Sequence, residues 1–530
     1  MYLNLILLCT LGAAGDPHGK PVAQKPAVLM EGLGSYHHPV STANREAQRF
    51  FDQGLTLLYA FNHDEAARSF RRAADLDPKL AMAWWGVALA QGPNYNLPEV
   101  DAEQTKAAYA ALQKALRLAE GAPEHERGYV DALAARYSAE PKPDGKKLLQ
   151  AYAEAMRKLS QRYPDDLDAA TLYAESAMNL RPWKLWSPDG KPVEGTEEIV
   201  RVLESVLRRC PDHPGANHYY IHAIEASPHP ERALPSAGRL VALVPAAAHL
   251  VHMPAHIYMR TGDFAGAVQS NEHATTHDRT YLHGTHDDEA FGYYGHNLAM
   301  LTTAYAMRGD FAGAKRTADI MAEQGSFLQT YFVLERFGRW NDITALTAPT
   351  MKLDGPIVVP MWHFARGMAF AATGDLASAQ TESAAVGKSV PALALPGSPG
   401  NYNSAHMLLG LAQLELSARI ARANGDSPRE IAQLEQAVAA YDRFLYTEPP
   451  DWYQPPREAL GGALLRAGRY PEAENVFRAD LQRNARNPRS LFGLAAALRG
   501  EGRADDAALV DSQFSAAWRN ADTELTVAAL

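Results

Sequence analysis

Two short stretches near the C-terminus, AGRYPEA at 467–473 and EGRADDA at 501–507, stand 34 residues apart. A fixed period of this length constrains the fold strongly. Each repeat must be one supersecondary unit that buries its apolar face against its neighbours. Related stretches end at Ala267 (TGDFAGA), Ala314 (RGDFAGA) and Ala379 (TGDLASA). In each, a glycine and an aspartate break one helix, and the closing alanine packs back against it. Upstream, residues 48–78 place Phe50, Gly54 and Leu57 on one helical face, followed by Ala66, Phe70, Ala73 and a terminating Pro78. With 47% hydrophobic residues over 530 positions the chain can bury a large core. Because such a core grows by stacking, length alone does not count its domains.

The 48–78 stretch, and its echo at Gly461, Leu464, Ala473 and Phe477, resemble the tetratricopeptide repeat. The resemblance covers roughly residues 45 to 520. It implies an all-α fold, a right-handed α-solenoid of about a dozen helical hairpins, and a concave groove lined by the first helix of each hairpin. Repeat signatures pause at 141–147, 183–196, 275–294 and 390–403 and resume after each, so these stretches are expected to be inserted loops.

The period also organises the histidines. Aligning the turn alanines Ala233 and Ala267 superposes His218 on His252 and His222 on His256, so successive repeats carry the same His-x-x-x-His pair on one helical face. His249 lies one turn before His252, and Glu225 one turn beyond His222. Alignment on Ala314 puts His296 level with His249, and one repeat upstream Glu175 falls level with His222 and His256. The resemblance places this stripe in the groove, with Ile221 and Ala255 in the core.

Residues four apart on a helix are about 5–6 Å apart, and packed helices about 8–10 Å, so imidazoles of both repeats can converge. Neutral imidazole is the usual nitrogen ligand of zinc, copper and iron. The expected ligands are His218, His222, His249, His252, His256 and His296. They exceed what one tetrahedral ion needs, which points to two ions or to one ion with outer histidines. Glu225 is the candidate general base or orienting carboxylate, followed by Glu175. The opposing reading is a stacked, hydrogen-bonded ladder of these rings with Tyr219, Tyr220 and Tyr258. Pro254 within the second pair would bend or break its helix and could leave His249 and His252 on the approach to it.

Further ligands are sought in His37 and His38, which precede Pro39 in an extended segment that could enter the groove, and in His283 and His286 of the 275–294 insertion. That insertion is polar enough to serve as a lid. Tyr219, Tyr258, Trp183 and Arg181 are candidates for a substrate pocket, Arg181 for an anionic group. A set so rich in histidine and poor in carboxylate leans toward copper, with zinc and iron next.

Other chemistries are excluded by their missing motifs. There is no haem-attachment Cys-x-x-Cys-His, phosphate-binding glycine loop, Gly-x-Ser-x-Gly elbow or zincin His-Glu-x-x-His. The interspersed charge, net −10, argues against a nucleic-acid partner, and no later segment is apolar enough to span a membrane. Residues 1–15 read as an export signal, residues 16–44 as an extended segment, and 45–530 as the solenoid with its metal site at about 166–323. Export implies a periplasmic or secreted protein. Cys9 would leave with the signal, and Cys210 alone could form no intramolecular disulfide. The tandem histidine pairs also resemble those of a functionally unassigned group of exported bacterial repeat proteins, a likeness that implies fold and export but no reaction.

Three functions remain open. One is metal-dependent oxidative or hydrolytic chemistry on a small or extended substrate. The second is a scaffold holding a peptide or protein partner, and the third is metal sequestration or delivery without turnover.

Overall fold

A computed structural model of the chain describes residues 27–140, 144–282, 288–349, 354–392 and 403–530. Among these residues the regular structure is helical, from Arg45–Tyr59 to Ala504–Ala517, with no β-strand. Trp186 and Pro192 form one isolated antiparallel bridge inside the expected loop at 183–196. Consecutive helices pack on one another as hairpins.

The repeat signatures show why these residues fold in this way. Gly262 and Gly309 take φ of +75° and +81°, the left-handed conformation that ends a helix. The next aspartate then caps the following helix: Asp263 Oδ1 accepts from Gly266 N (3.0 Å) and Asp310 Oδ1 from Gly313 N (2.7 Å). Ala267, Ala314 and Ala379 are fully buried.

Close packing then joins neighbouring hairpins. The Phe70 ring is wedged between Gly54 and Gly86, where a Cβ would lie 2.8 and 2.5 Å from it. At the other end Phe477 is wedged between Gly461 and Gly493, at 2.3 and 2.1 Å. The small residues are therefore seats for an aromatic ring, and each ring holds two successive first helices at once.

The structure corrects one expectation. The described residues of the stretch at 275–294 are helix, not loop: Phe264–Leu282 runs into it and Asp288–Met307 out of it, and 283–287 lie outside the described residues. Its polar residues extend existing helices instead of interrupting them.

The described residues gather in two compact units. One contains the chain up to Ile257 with the described part of Thr276–Ala290, and the other Tyr258–Thr275 with Phe291–Leu530. In the first, residues 27–43 have no regular structure before the cap at Asn44 and are tied to the hairpins by Ala246 N donating to Gly32 O (3.0 Å).

The wedged ring can be tested. Gly86→Ala should force Phe70 aside and cost about 1–3 kcal/mol. Gly410→Ala, where a Cβ meets nothing within 4 Å inside a helix, should stabilise by roughly 0.5 kcal/mol. Denaturant midpoints of the two variants check both signs.

Candidate metal centre

The first histidine pair lies on the helix Pro214–Ile224. It opens with Pro214 at its first turn and is capped by His213, whose Nδ1 accepts from Ala216 N (3.2 Å). The second pair spans a break. Ala248–His252 is a short helix, and Pro254–Thr261 follows after Met253. Pro254 has no N–H to donate, so the helix is interrupted there but not unwound. His249 and His252 accordingly sit on helix, not on an irregular approach to it.

Five imidazoles form a closed ring. Going round it, centroids lie 4.9 Å apart for His218–His222, 5.5 Å for His222–His256 and 4.7 Å for His256–His252. His252–His249 at 5.9 Å and His249–His218 at 4.9 Å complete it. Every member is at most 6% exposed. Ligand atoms of His218, His222 and His249 all lie within 4.8 Å of one another, as do those of His222, Glu225 and His256. This geometry could hold a metal ion.

The hydrogen bonds decide which nitrogen faces inward. His218 Nδ1 is 2.6 Å from the carbonyl oxygen of Tyr59, which can only accept, so this nitrogen carries the proton. His222 Nδ1 and His256 Nδ1 donate to the two oxygens of Glu225, at 2.8 and 2.5 Å. In the neutral rings the lone pairs of His218, His222 and His256 are therefore on Nε2. A carboxylate or carbonyl behind an imidazole in this way is the usual outer support of a metal-bound histidine.

Electrostatics favour the neutral form. Burial, reinforced by neighbouring imidazoles, drives His218 and His249 well below the ordinary histidine value, and burial lowers His222 as well. Burial works to raise Glu225, but His256 and His222 outweigh it and hold the carboxyl at about 2. The electrostatics thus set the Glu225 anion beside histidines of which His218, His222 and His249 favour the uncharged form.

Nε2 of His249 approaches Nε2 of His218 at 3.1 Å, and Nε2 of His252 approaches that of His256 at 2.7 Å. Two nitrogens bound to one tetrahedral zinc stand about 3.3 Å apart. The first pair is close to that spacing. His222 Nε2 is buried without a hydrogen-bond partner among the described residues, and leaving such an acceptor unmet costs about 1–3 kcal/mol. A cation at the His218–His222–His249 triad would satisfy it.

Two further residues, absent from the sequence-based expectation, shape the site. Phe61 adopts φ +53°, rare for a bulky residue, and its ring lies over three imidazoles: 4.5 Å from His218, 5.5 Å from His249 and 5.9 Å from His222. Tyr59 supplies the carbonyl behind His218 and donates its hydroxyl to Asp168 Oδ1 at 2.5 Å. The sequence offers no signal for either: Tyr59 closes the helix Arg45–Tyr59, and Phe61 follows it in the αL conformation.

The remaining expected residues fall in several places. Glu175, buried on Leu167–Met178, accepts from Asn179 (2.5 Å), and burial raises its pKa. His296 lies half-buried on Asp288–Met307, in the other compact unit, which also holds the half-buried Tyr258. Tyr219 packs 5.3 Å from His218, and Trp183 5.4 Å from His222. Arg181 faces Glu194 at 3.4 Å near the surface. His37 is exposed and bonds Asp52 (2.8 Å). His283 and His286 lie outside the described residues.

His38 joins a different group. Its Nδ1 is 2.7 Å from Asp168 Oδ2, while Tyr36 and Tyr59 donate to Asp168 Oδ1 and His213 Nε2 lies 3.4 Å from the same atom. Burial works to raise Asp168, yet the bonds from His213 and His38 hold it well below the ordinary carboxylate value. Its acceptor capacity is taken up by these donors, so the group acts as a clamp on the N-terminal segment.

No protein-family model matches the chain, and neither does any curated protein sequence. Among solved structures it is similar to a human IFIT1 dimer with m7Gppp-AAAA, at 12% identity over 90% of each chain and a TM-score of 0.34. It is also similar to a chain of the APC/C hetero-tetramer Cut9–Hcn1 (12% identity, 91% of this chain and 74% of that one, TM-score 0.31). The P58(IPK) TPR domain is a third (13%, 86% and 98%, TM-score 0.22). Likeness at this level carries no inference about what the chain binds, and the architecture rests on its own helices.

The support given by Glu225 is testable in metal-free protein. In Glu225→Gln the amide can accept from only one of the two Nδ1–H groups. One of His222 and His256 should switch to the Nε2–H tautomer, visible in long-range proton–nitrogen correlation spectra, with about 1–3 kcal/mol lost in stability.

Proposed function

We propose that this chain is an exported metalloprotein whose histidine ring binds one or two transition-metal ions for oxidative or hydrolytic chemistry. One observation carries the reading: five buried imidazoles close on one another, and the outer nitrogens of His218, His222 and His256 are held by Tyr59 and Glu225. A hydrogen-bonded ladder of aromatic rings would not leave His222 Nε2 buried without a partner among the described residues. Three nitrogen ligands from His218, His222 and His249 leave a coordination position open, as catalytic sites do. An ion there would act as a Lewis acid or redox centre, with Glu225 orienting the ring beside it. The nitrogen-rich donor set favours copper over zinc and iron. The apolar stretch at residues 1–15 supports export to the periplasm or beyond.

Metal analysis of untagged protein, after exposure to copper, zinc and iron salts in turn, tests the proposal. Stoichiometric metal is expected in the native chain and in His406→Ala, whose exposed imidazole bonds Val390 O. His222→Ala and His249→Ala should fall below stoichiometry, and Glu225→Gln should bind about 10- to 100-fold more weakly. Equal metal content in all variants, or none in the native chain, would favour a scaffold that holds a peptide or protein partner.

A further inference from the structure

The other compact unit, Tyr258–Thr275 with Phe291–Leu530, contains a cavity of about 380 Å³. Most charged groups on its wall are committed to one another. Glu458 pairs with Arg336 (3.2 Å) and Arg489 (2.8 Å), and Glu430 pairs with Arg466 (2.6 Å). Arg422 donates to the main-chain oxygens of Ala528 (2.9 Å) and Leu530 (3.3 Å).

Apart from Arg422 and the exposed Glu524, three charged groups on the wall form no ion pair with the described residues. Glu415 is 8% exposed, and its Oε1 is buried with no hydrogen-bond partner among the described residues. Glu335, equally buried, receives one bond, from Gln454 Nε2 at 3.2 Å. Arg419 lies over the Trp340 ring, 5.1 Å from its centroid, and makes no ion pair or hydrogen bond with the described residues. Glu415 and Arg419 are four apart on the helix Ala405–Ala423, a spacing at which opposite charges ordinarily pair. Here they do not, although both line the same cavity. Leaving a buried carboxyl and a guanidinium apart is costly unless something between them answers both.

We propose that this cavity binds a small zwitterion of the α-amino-acid class, its carboxylate on Arg419 and its ammonium on Glu415 and Glu335. A simple anion would face the two carboxyls, and a simple cation would face Arg419. A molecule carrying both charged groups on one carbon satisfies each side. Trp340 and Met368 supply an apolar wall for a side chain. The volume lies at the small end of ligand pockets, which span about 300–1,000 Å³. Burial pushes the Glu335 carboxyl up to about 7 and the Glu415 carboxyl well above its ordinary value. Burial outweighs the neighbouring arginines at Glu335, and an incoming ammonium would relieve both acids.

Thermal unfolding of the full chain with each proteinogenic L-amino acid tests the proposal. A chelator added throughout keeps the histidine ring from contributing. At least one amino acid should raise Tm in a concentration-dependent way. Its N-acetylated and its decarboxylated analogues should both fail. By calorimetry Glu415→Gln and Arg419→Met should each bind about tenfold or more weakly. Should either variant not fold, the analogue series on the native chain decides. No stabilisation by any amino acid, equal stabilisation by the singly charged analogues, or affinity unchanged in both variants would overturn the assignment.

Discussion

One carboxylate joins two repeats. Glu225 accepts from His222 on its own helix and from His256, the equivalent residue one period later. The repeat makes this bridge available, because hairpins stacked at constant offset bring the same helical position of successive units side by side. Everything particular to the centre follows from it. With Nδ1 committed outward on both rings, Nε2 must carry the lone pair toward the interior, where the other imidazoles converge.

Such a centre is expensive to bury. Neutral rings lower the penalty that charged ones would impose, and burial itself enforces neutrality at His218, His222 and His249. Phe61 adds an apolar face over three of the rings. Its left-handed backbone costs of order 1–3 kcal/mol in isolation and persists only when its surroundings demand it. Here the demand comes from the helix end that also directs the Tyr59 carbonyl at His218. Asp168 anchors the same tyrosine and ties in the N-terminal segment through Tyr36 and His38, so residues distant in sequence share one polar network.

Much of this was legible before any coordinates. Hairpin turns could be read from Gly-Asp pairs, because a left-handed residue followed by a capping aspartate has few alternatives. His218, His222, His249, His252 and His256 could be grouped because a period of 34 residues converts sequence spacing into spatial alignment. Phe61 and Tyr59 could not, since Phe61 reaches the ring through one φ angle that no periodicity encodes and Tyr59 through its main-chain carbonyl, which has no side-chain signature. The stretch at 275–294 misled because repeat signatures mark where hairpins begin, whereas a helix can outrun its signature when its added turns are polar. Asp168 was hidden for a different reason. Its partners come from the N-terminal segment and from the end of a later loop, and nothing local announces a contact across 130 residues.

X-ray absorption on the metal-loaded, untagged chain measures the central claim most directly. The account predicts a first shell of nitrogen or oxygen at about 2.0–2.1 Å for zinc, with outer-shell scattering from three or more imidazoles for each ion in the His218–His222–His249 site. A shell dominated by oxygen, with the imidazole scattering of one ring or none, would contradict it.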